Sequence, residues 1–441
     1  MGYTCGTLLR TRGLLATLFF AFLGCSSGGT ATDGGATVDA ANADAASPDA
    51  ANADAASADA GNADAANVDS GQPDAASTPR LEILEAERPV AVSGDGKTVL
   101  VWQQSSGELS TYDVATSTLT PKTTLAPEGL EKQQPMALSN TRRIAAGYGS
   151  RPTEPALWDE THGWVQLGSP LPGCVDTSTT PPVPQDLGVA FDLSDDGHIA
   201  VGALWLDCNE VQAFRWSDAT STGTFALLER VGVGLDLVHP GNNRATVVSS
   251  DGAIAAGWAF NAVADRSPAI WNADGRGRLL DPADTMNPGE VLAIDRLGTT
   301  VAGLWARPTG GLDGFVWSEA RGVERFGPPD MADQSSMFVT SMTGDGAHVF
   351  GRWRFQATFF DPEDDNAFVW SRAKGLRKIA DLATAHGLTV PAGLRLASVQ
   401  SASADGLVLV GEARLPPDPN DPLMLPVLKV FVLVLPPGAL D

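Results

Sequence analysis

Short apolar runs separated by polar, glycine-containing turns recur along the chain after residue 80. In the clearest copy, residues 190–193 and 199–201 flank the turn Ser194-Asp195-Asp196-Gly197. Equivalent turns begin at Ser93, Ser139, Ser194, Ser249, Asp295, Thr343 and Ser403, at intervals of 46 to 60 residues. The runs are short and rich in alanine and β-branched residues, which favours buried strands over amphipathic helices. The pattern predicts seven hairpins.

Two positions that are equivalent in all seven repeats explain these turns. The first position is always a short polar side chain, which can hydrogen-bond the backbone two residues further on. Three residues later the chain has Gly96, Gly197, Gly252, Gly298, Gly346 and Gly406, and Arg142 is the single exception. A recurrent glycine indicates a backbone with positive φ.

Each hairpin is followed by two further apolar segments. A third strand carries an aromatic pair, as in Phe214 with Trp216 and Phe368 with Trp370, and residues 163–168 and 322–327 indicate a fourth. Four strands per repeat at this period are typical of propeller blades. The predicted fold is therefore all-β, a single β-propeller of seven four-stranded blades, with six or eight blades as the alternative counts.

The succession of apolar strand, S-x-D-G turn, V-x-G, A-F-x-W and G-x-x-x-L-G resembles the HAF repeat of bacterial extracellular proteins. The turn is also similar to that of periplasmic TolB-like propellers. The resemblance covers most of residues 81–436 and is weakest in the first repeat, where Val101 replaces the glycine and Tyr112 the tryptophan. It implies a propeller and export, and it supplies no catalytic residues.

The last repeat contains three strands and stops, so its outer edge needs a partner. Residues 81–84 precede the first turn by about the distance at which a fourth strand precedes the next turn. We expect this segment to complete the last blade, which would remove an exposed sheet edge. Residues 81–441 then form one propeller domain, expected to be monomeric.

The amino terminus has the pattern of an export signal. Arg10 and Arg12 precede an apolar segment at 14–23, followed by Gly24 and Cys25. Residues 1–24 resemble a bacterial lipoprotein signal peptide, which implies lipidation of Cys25 and a lipid anchor in the membrane. Ten apolar residues are too few to span a bilayer. An ordinary secretory signal cleaved nearby is the alternative.

Residues 25–80 have a different composition from the rest of the chain. Aspartates recur every five residues in a background of alanine, asparagine and serine, at Asp39, Asp44, Asp49, Asp54, Asp59, Asp64, Asp69 and Asp74. Such a segment has too little apolar surface to offset the entropy lost on ordering. We predict a disordered tether that holds the propeller away from the membrane.

Charge and cysteine content restrict the partners. Of the net charge of −24, −17 arises from Arg80 onward, which excludes nucleic acid as a favoured partner. With Cys5 in the signal and Cys25 lipidated, Cys174 and Cys208 remain as a pair in an oxidising compartment. We expect them to form a disulfide; two unrelated buried thiols are the alternative.

Known catalytic motifs are missing from the predicted propeller. Residues 81–441 contain no G-x-S-x-G, H-E-x-x-H or G-x-x-x-x-G-K. We expect no cofactor and no metal, and the carboxylates between residues 361 and 365 are interpreted as a solvated loop. Asp192 is the one acidic side chain that the repeat places on an inner strand. The catalytic residues, if any exist, are unknown.

Aromatic residues offer a candidate ligand platform. Five tryptophans of the third strands, Trp158, Trp216, Trp271, Trp317 and Trp370, are interpreted as core. A second set lies one to three residues after the position of the repeated V-x-G glycine: Trp102, Tyr148, Trp205, Trp258, Trp305 and Trp353. These six either pack at blade edges or form a ring that binds a glycan or an extended peptide.

Three functional hypotheses remain. The first is a lipid-anchored binding or adhesion module at the bacterial outer membrane or cell surface, with the periplasmic face as the alternative side, recognising a glycan, a peptide or an envelope protein. The second is a secreted propeller hydrolase or lyase, and the third is a structural envelope protein. The tether and the lack of catalytic motifs favour the first.

Overall fold

The computed structural model describes residues 78–125, 134–149, 152–177, 180–218, 223–232, 241–284, 286–327, 335–354, 365–416 and 426–441. The predicted signal peptide, the lipidation site Cys25, most of the predicted tether and the acidic segment 361–364 lie outside these residues. Strands dominate the described part of the chain, which contains a single helix.

The chain enters the fold through strand β1 (Arg80–Leu84). Unit one contains β2 (Arg88–Val92), β3 (Thr98–Gln103), β4 (Glu108–Asp113) and β5 (Thr118–Thr124). Unit two contains β6 (Gln134–Leu138), β7 (Ile144–Tyr148), β8 (Glu154–Asp159) and β9 (Gly163–Gln166). A short hairpin follows, made of β10 (Cys174–Asp176) and β11 (Val183–Asp186). Unit three contains β12 (Gly188–Leu193), β13 (Ile199–Trp205), β14 (Val211–Ser217) and β15 (Thr224–Leu227).

The remaining units follow the same plan. Unit four contains β16 (Asn243–Val248), β17 (Ala255–Phe260), β18 (Arg266–Trp271) and β19 (Gly277–Leu279). Unit five contains β20 (Gly289–Ile294), β21 (Thr300–Ala306), β22 (Leu312–Ser318) and β23 (Gly322–Phe326). Unit six contains β24 (Ser336–Met342), β25 (His348–Arg354), β26 (Asn366–Ser371), β27 (Gly375–Lys378) and helix α1 (Ile379–Ala385). Unit seven contains β28 (Arg395–Ala402), β29 (Val408–Leu415) and β30 (Val427–Val434).

The strands of each unit pair antiparallel in chain order, and a single parallel bridge from Leu312 to Ser336 links units five and six. The first strand of every unit lies beside the first strands of both neighbouring units, so these strands surround a central channel. This arrangement defines a β-propeller. The predicted all-β propeller class is confirmed by it.

Strand β1 closes the ring. It pairs antiparallel with β30, from Arg80 opposite Val434 to Leu84 opposite Val430. The first strand of the described chain is therefore the fourth strand of unit seven, as predicted for residues 81–84. The edge of β30 is covered at this junction, because the two ends of the fold share one sheet.

The turn residues act as their positions suggest, with one difference in detail. The hydroxyl of Ser93 donates to Asp95 at 2.7 Å and accepts the N–H of Thr98 at 3.0 Å, five residues on rather than two. The turn glycines have positive φ, as at Gly197 with 75°. Arg142, the exception in sequence, has φ of 64° and adopts the same conformation.

Each first strand contains a β-bulge three residues before its turn. In unit four the bulge lies between Ala245 and Val247. It brings the carbonyl oxygen of Arg244 over Gly257 on the second strand, where an added Cβ would overlap that oxygen. The same overlap exists at Gly202, Gly303, Gly351 and Gly411. The recurrent second-strand glycine is thus required by the bulge.

A circle of hydrogen bonds joins the seven turns, and we call it the turn ring. Its members directly follow the first turn residue: Gly94, Asn140, Asp195, Ser250, Arg296, Gly344 and Ala404. In six of the seven steps the N–H of one member donates to the carbonyl of a neighbouring member at 2.7–3.1 Å. In the last step the N–H of Asp95 donates to Asn140 Oδ1 at 2.9 Å. The turn ring fixes each unit to both of its neighbours.

The core lies between the units. The third-strand tryptophans Trp158, Trp216, Trp271, Trp317 and Trp370 are all buried, as predicted. Helix α1 was not predicted from the sequence, and it directly follows fourth strand β27, which ends at Lys378. The helix buries Ile379, Leu382 and Ala383 against units six and seven.

Candidate functional site

The propeller has two chemically different faces. One face, the turn face, carries the seven turns between first and second strands. The second strands end, and the first and third strands begin, at the opposite face. We call the part of the opposite face around the channel the mouth.

Carboxylates of the turn face are used by the turns themselves. Asp196 accepts hydrogen bonds from the Ser194 hydroxyl at 2.6 Å and the His198 N–H at 2.9 Å. Burial raises the pKa of Asp196, but these hydrogen bonds outweigh it, so the pKa lies below its usual value. His198 in turn contacts Asp218 at 2.6 Å. This chemistry is structural.

Asp192 lies on first strand β12, as the sequence predicted, and binds the neighbouring unit. Its Oδ2 accepts the N–H of Val248 in unit four at 2.8 Å, and its Oδ1 accepts the N–H of Leu193 at 2.9 Å. Burial raises the pKa of Asp192 to about 7, against the effect of these hydrogen bonds. The side chain holds two units together.

The six candidate platform aromatics do not form an exposed ring, which corrects the sequence-based alternative. Trp102, Trp258 and Trp305 are 6%, 4% and 0% exposed. Successive strand residues point to opposite faces of a sheet. Trp258 follows the second-strand glycine Gly257 by one residue, whereas Trp305 follows the equivalent Gly303 by two. The two rings therefore enter different spaces between units. Blade packing accounts for these three.

Tyr148, Trp205 and Trp353 are half-buried and differ in surroundings. Tyr148 stacks on Trp164 with ring centroids 4.8 Å apart. Trp205 lies at the base of the β10–β11 hairpin, where its carbonyl accepts the N–H of Gly173 at 3.0 Å. Trp353 has the Lys378 ammonium 5.8 Å from its ring centroid. They are separate from one another in the fold and share no surface built from described contacts.

Arginines, which the sequence analysis did not single out, concentrate at the mouth. The first group, the six–seven cluster, contains Arg88, Arg352, Arg354, Asp365, Glu412 and Arg414. Asp365 is fully buried and is contacted by Arg354 Nε at 2.5 Å and Arg414 at 2.7 Å. Burial raises the pKa of Asp365, but the arginines outweigh it and lower the pKa overall.

Glu412 extends the six–seven cluster into unit one. It accepts hydrogen bonds from Arg414 at 2.6 Å and lies 3.3 Å from Arg88, which also reaches Gln104 at 3.2 Å. The cluster therefore spans the junction closed by β1. A cavity of about 240 Å³ lies beside it between units six and seven, with Lys378 and Arg395 in its wall.

The second group, the four–five cluster, contains Phe191, Arg244, Thr246, Trp258, Arg266 and Glu290. Arg244 pairs with Glu290 across the junction of units four and five, and the Thr246 hydroxyl donates to the same carboxylate at 2.8 Å. Arg244 also lies over the Phe191 ring, 5.1 Å from its centroid. First strands β12, β16 and β20 thus position one compact group.

A third set of arginines, in unit five, is matched by carboxylates. Arg307 lies 3.3 Å from Asp313, and Arg325 contacts Asp284 at 2.9 Å while its guanidinium covers Trp305. Burial raises the pKa of Asp313, opposed by the two arginines. This set supplies as many acidic as basic groups.

A disulfide joins Cys174 of β10 to Cys208, in the loop between the second and third strands of unit three. It fastens the β10–β11 hairpin to the opposite face, beside Trp205. Among the described residues no group of three histidine, cysteine or acidic side chains could hold a metal ion. In the same part of the chain, no helix has the length and apolar character needed to cross a membrane.

Comparison with known proteins identifies no family. No family model and no curated protein matches the sequence. Similar solved structures include TolB from Acinetobacter baumannii, 11% identical with a TM-score of 0.38, covering 62% of this chain and 60% of that one. The β-propeller domain of Cps50 (Swd1) from Myceliophteria thermophila is 11% identical with a TM-score of 0.47, covering 80% and 98%.

A prolyl endopeptidase structure is 12% identical with a TM-score of 0.43, and it covers 80% of this chain and 47% of the endopeptidase. The chain thus spans less than two thirds of both TolB and the endopeptidase. The strand pairing defines the class of the protein, a β-propeller.

Proposed function

We propose that this protein is a binding module that recognises an anionic envelope ligand at the mouth of its propeller. The observation that carries the proposal is the charge at the mouth. The six–seven and four–five clusters together contain six arginines and three carboxylates among the described residues. The chain as a whole carries a net charge of −24.

A positive mouth on an acidic protein favours one type of ligand. Long-range repulsion keeps anions away from most of the surface, whereas the mouth attracts them and holds guanidinium groups that form paired hydrogen bonds with carboxylates or phosphates. Turn-face carboxylates are engaged in their own turns, so the opposite face is the better candidate for recognition.

The setting is part of the proposal. Cleavage before Cys25 and lipidation of its thiol would anchor the chain in the bacterial outer membrane, and the Asp-rich segment would hold the propeller clear of the lipid. In this position the mouth can engage a glycan, a peptide or an envelope protein. Asp192, the candidate for an enzymatic role, holds two units together, so no observation favours the hydrolase or lyase alternative.

Binding to an array tests the function. The full-length chain, purified in detergent, is applied to neutral and acidic peptides and to neutral and acidic glycans at 50 and 300 mM salt. We expect binding to acidic members that weakens about tenfold or more at the higher salt. If no member is bound, or if only neutral members are, the proposal is wrong and the structural-protein alternative stands.

A further inference from the structure

Two guanidinium groups share one indole in the four–five cluster. Arg266, the first residue of β18, places its Cζ 4.7 Å from the centroid of the Trp258 ring, and the Cζ of Arg244 lies 5.8 Å from the same centroid. Both cations are therefore close to one aromatic side chain that is itself buried. Stacking on an aromatic ring orients a guanidinium and leaves its N–H groups available in the plane.

Within the described part of the chain, one carboxylate contacts these two cations. Glu290 pairs with Arg244 and also accepts the Thr246 hydroxyl. Arg266 forms no hydrogen bond and no ion pair within the described ranges, and its contact is with Trp258. Burial lowers the pKa of Arg266, and Arg244 lowers it further against the opposing effect of Glu290. Among the residues that the structure describes, one positive charge is thus left without a counter-charge.

Unpartnered polar atoms point to the same place. Arg244 Nε and Trp258 Nε1 are buried and have no hydrogen-bond partner among the described residues. Buried donors are normally paired, since an unmade hydrogen bond leaves the full cost of removing the group from water. The four–five cluster therefore has a surplus positive charge and unfilled donors at one position.

We propose that the four–five cluster binds a carboxylate side chain of an acidic peptide segment in a protein partner, with Arg266 and Arg244 as its ligands. This inference rests on the proposed function and narrows it to one chemical class. A carboxylate has two oxygens in one plane, which match the paired N–H groups of a guanidinium, and one such group neutralises the surplus charge.

A peptide fits the site better than a glycan. Sugar rings commonly stack on exposed aromatic faces, and the aromatic candidates around the mouth are buried at Trp102, Trp258 and Trp305. Recognition here depends instead on a single charged group entering beside Phe191 and Thr246. The flexible side chain of an aspartate or glutamate can present that group without the bulk of a sugar ring.

The test uses the full-length chain and four labelled probes. These are an eight-residue Gly/Ser peptide with three glutamates, the same peptide with glutamines, a tri-galacturonate and a neutral trisaccharide. Arg266→Gln removes the charge and Arg266→Lys keeps it without the planar N–H pair. The matched control is Arg276→Gln, which lies in the same unit on the β18–β19 turn at the turn face and is 82% exposed.

We expect the glutamate peptide to bind the wild type at least tenfold more tightly than the glutamine peptide. Affinity should fall about 10- to 100-fold in Arg266→Gln and less in Arg266→Lys, and it should be unchanged in Arg276→Gln. Since Arg266 makes no hydrogen bond among the described residues, thermal melting should show the variants folded.

Other outcomes are decisive. Binding of the glutamate peptide that is unchanged in Arg266→Gln overturns the inference and leaves the proposed function standing. If tri-galacturonate binds more tightly than the glutamate peptide, and this binding depends on Arg266, the ligand is an acidic glycan. That result overturns the inference of an acidic peptide. If the wild type binds none of the four probes, the proposed function fails together with the inference.

Discussion

Replacing Asp192 by asparagine should change how the stability of the propeller depends on pH. The Asp192 carboxylate accepts one hydrogen bond from the N–H of Val248 in the next unit and one from the N–H of Leu193. Asparagine keeps an oxygen acceptor for the bond from Val248. The substitution removes the charge and preserves the size and the inter-unit contact. Its effect therefore isolates the titration of one group.

The magnitude follows from the raised pKa. Asp192 titrates near 7 in the folded protein, against 3.8 for an ordinary aspartate. Since the folded state holds the proton more tightly, the favourable contribution is complete below about pH 4 and is lost as the pH rises through 7. Between pH 3.8 and 7, at about 1.4 kcal/mol per pH unit, the loss for a fully buried group is about 4.5 kcal/mol. The side chain is half-buried, so we expect about 2 to 4 kcal/mol.

Urea unfolding followed by tryptophan fluorescence measures this effect at pH 5, 6, 7 and 8, because the chain has eleven tryptophans. The free energy of unfolding of wild type minus that of Asp192→Asn should fall between pH 5 and 7 and level off towards pH 8. Asp274→Asn, an exposed turn carboxylate, is the control and should show no such trend. A difference between wild type and Asp192→Asn that is constant with pH would refute the reasoning.

Three further predictions concern the anchor, the disulfide and the core. Cys25→Ala should abolish partitioning of the protein into the detergent phase, and a mature terminus at any other residue would contradict the lipoprotein assignment. Peptide mapping without reductant should recover Cys174 linked to Cys208, and two free thiols would disprove the pairing. Trp305→Ala should cost about 3 to 5 kcal/mol in unfolding experiments and half-buried Trp353→Ala clearly less, whereas equal losses would show that burial does not distinguish them.

The repeat could be predicted from sequence because each of its signals is local. The turn needs a residue with positive φ and a side-chain hydroxyl, and the core needs a tryptophan on the third strand. Each requirement selects one type of residue at a nearly constant distance from the turn. Residues 81–84 were also placed correctly, because the incomplete last repeat required an edge partner. Helix α1 was missed, since an insertion has no counterpart in the other units.

The candidate site was largely hidden from the sequence. The predicted circle of exposed aromatic residues is not formed, because a shift of one residue along a strand turns a side chain to the other side of the sheet, as for Trp258 and Trp305. The arginine clusters depend on contacts between units, which the alignment of one repeat on another does not show. One signal was available, since Arg88, Arg244 and Glu290 occupy the same position in otherwise apolar first strands.

The pairing of β1 with β30 has a consequence for biogenesis. Lys429 and Glu85, which form an ion pair at this junction, are 344 positions apart, so the ring joins nearly the first and last described residues. Such a contact forms only after the whole intervening chain is present. During synthesis, an incomplete chain can assemble antiparallel sheets but cannot close the circle, and its terminal sheets stay open to pairing with other chains. The arrival of β30 is therefore the step that ends this period of exposure.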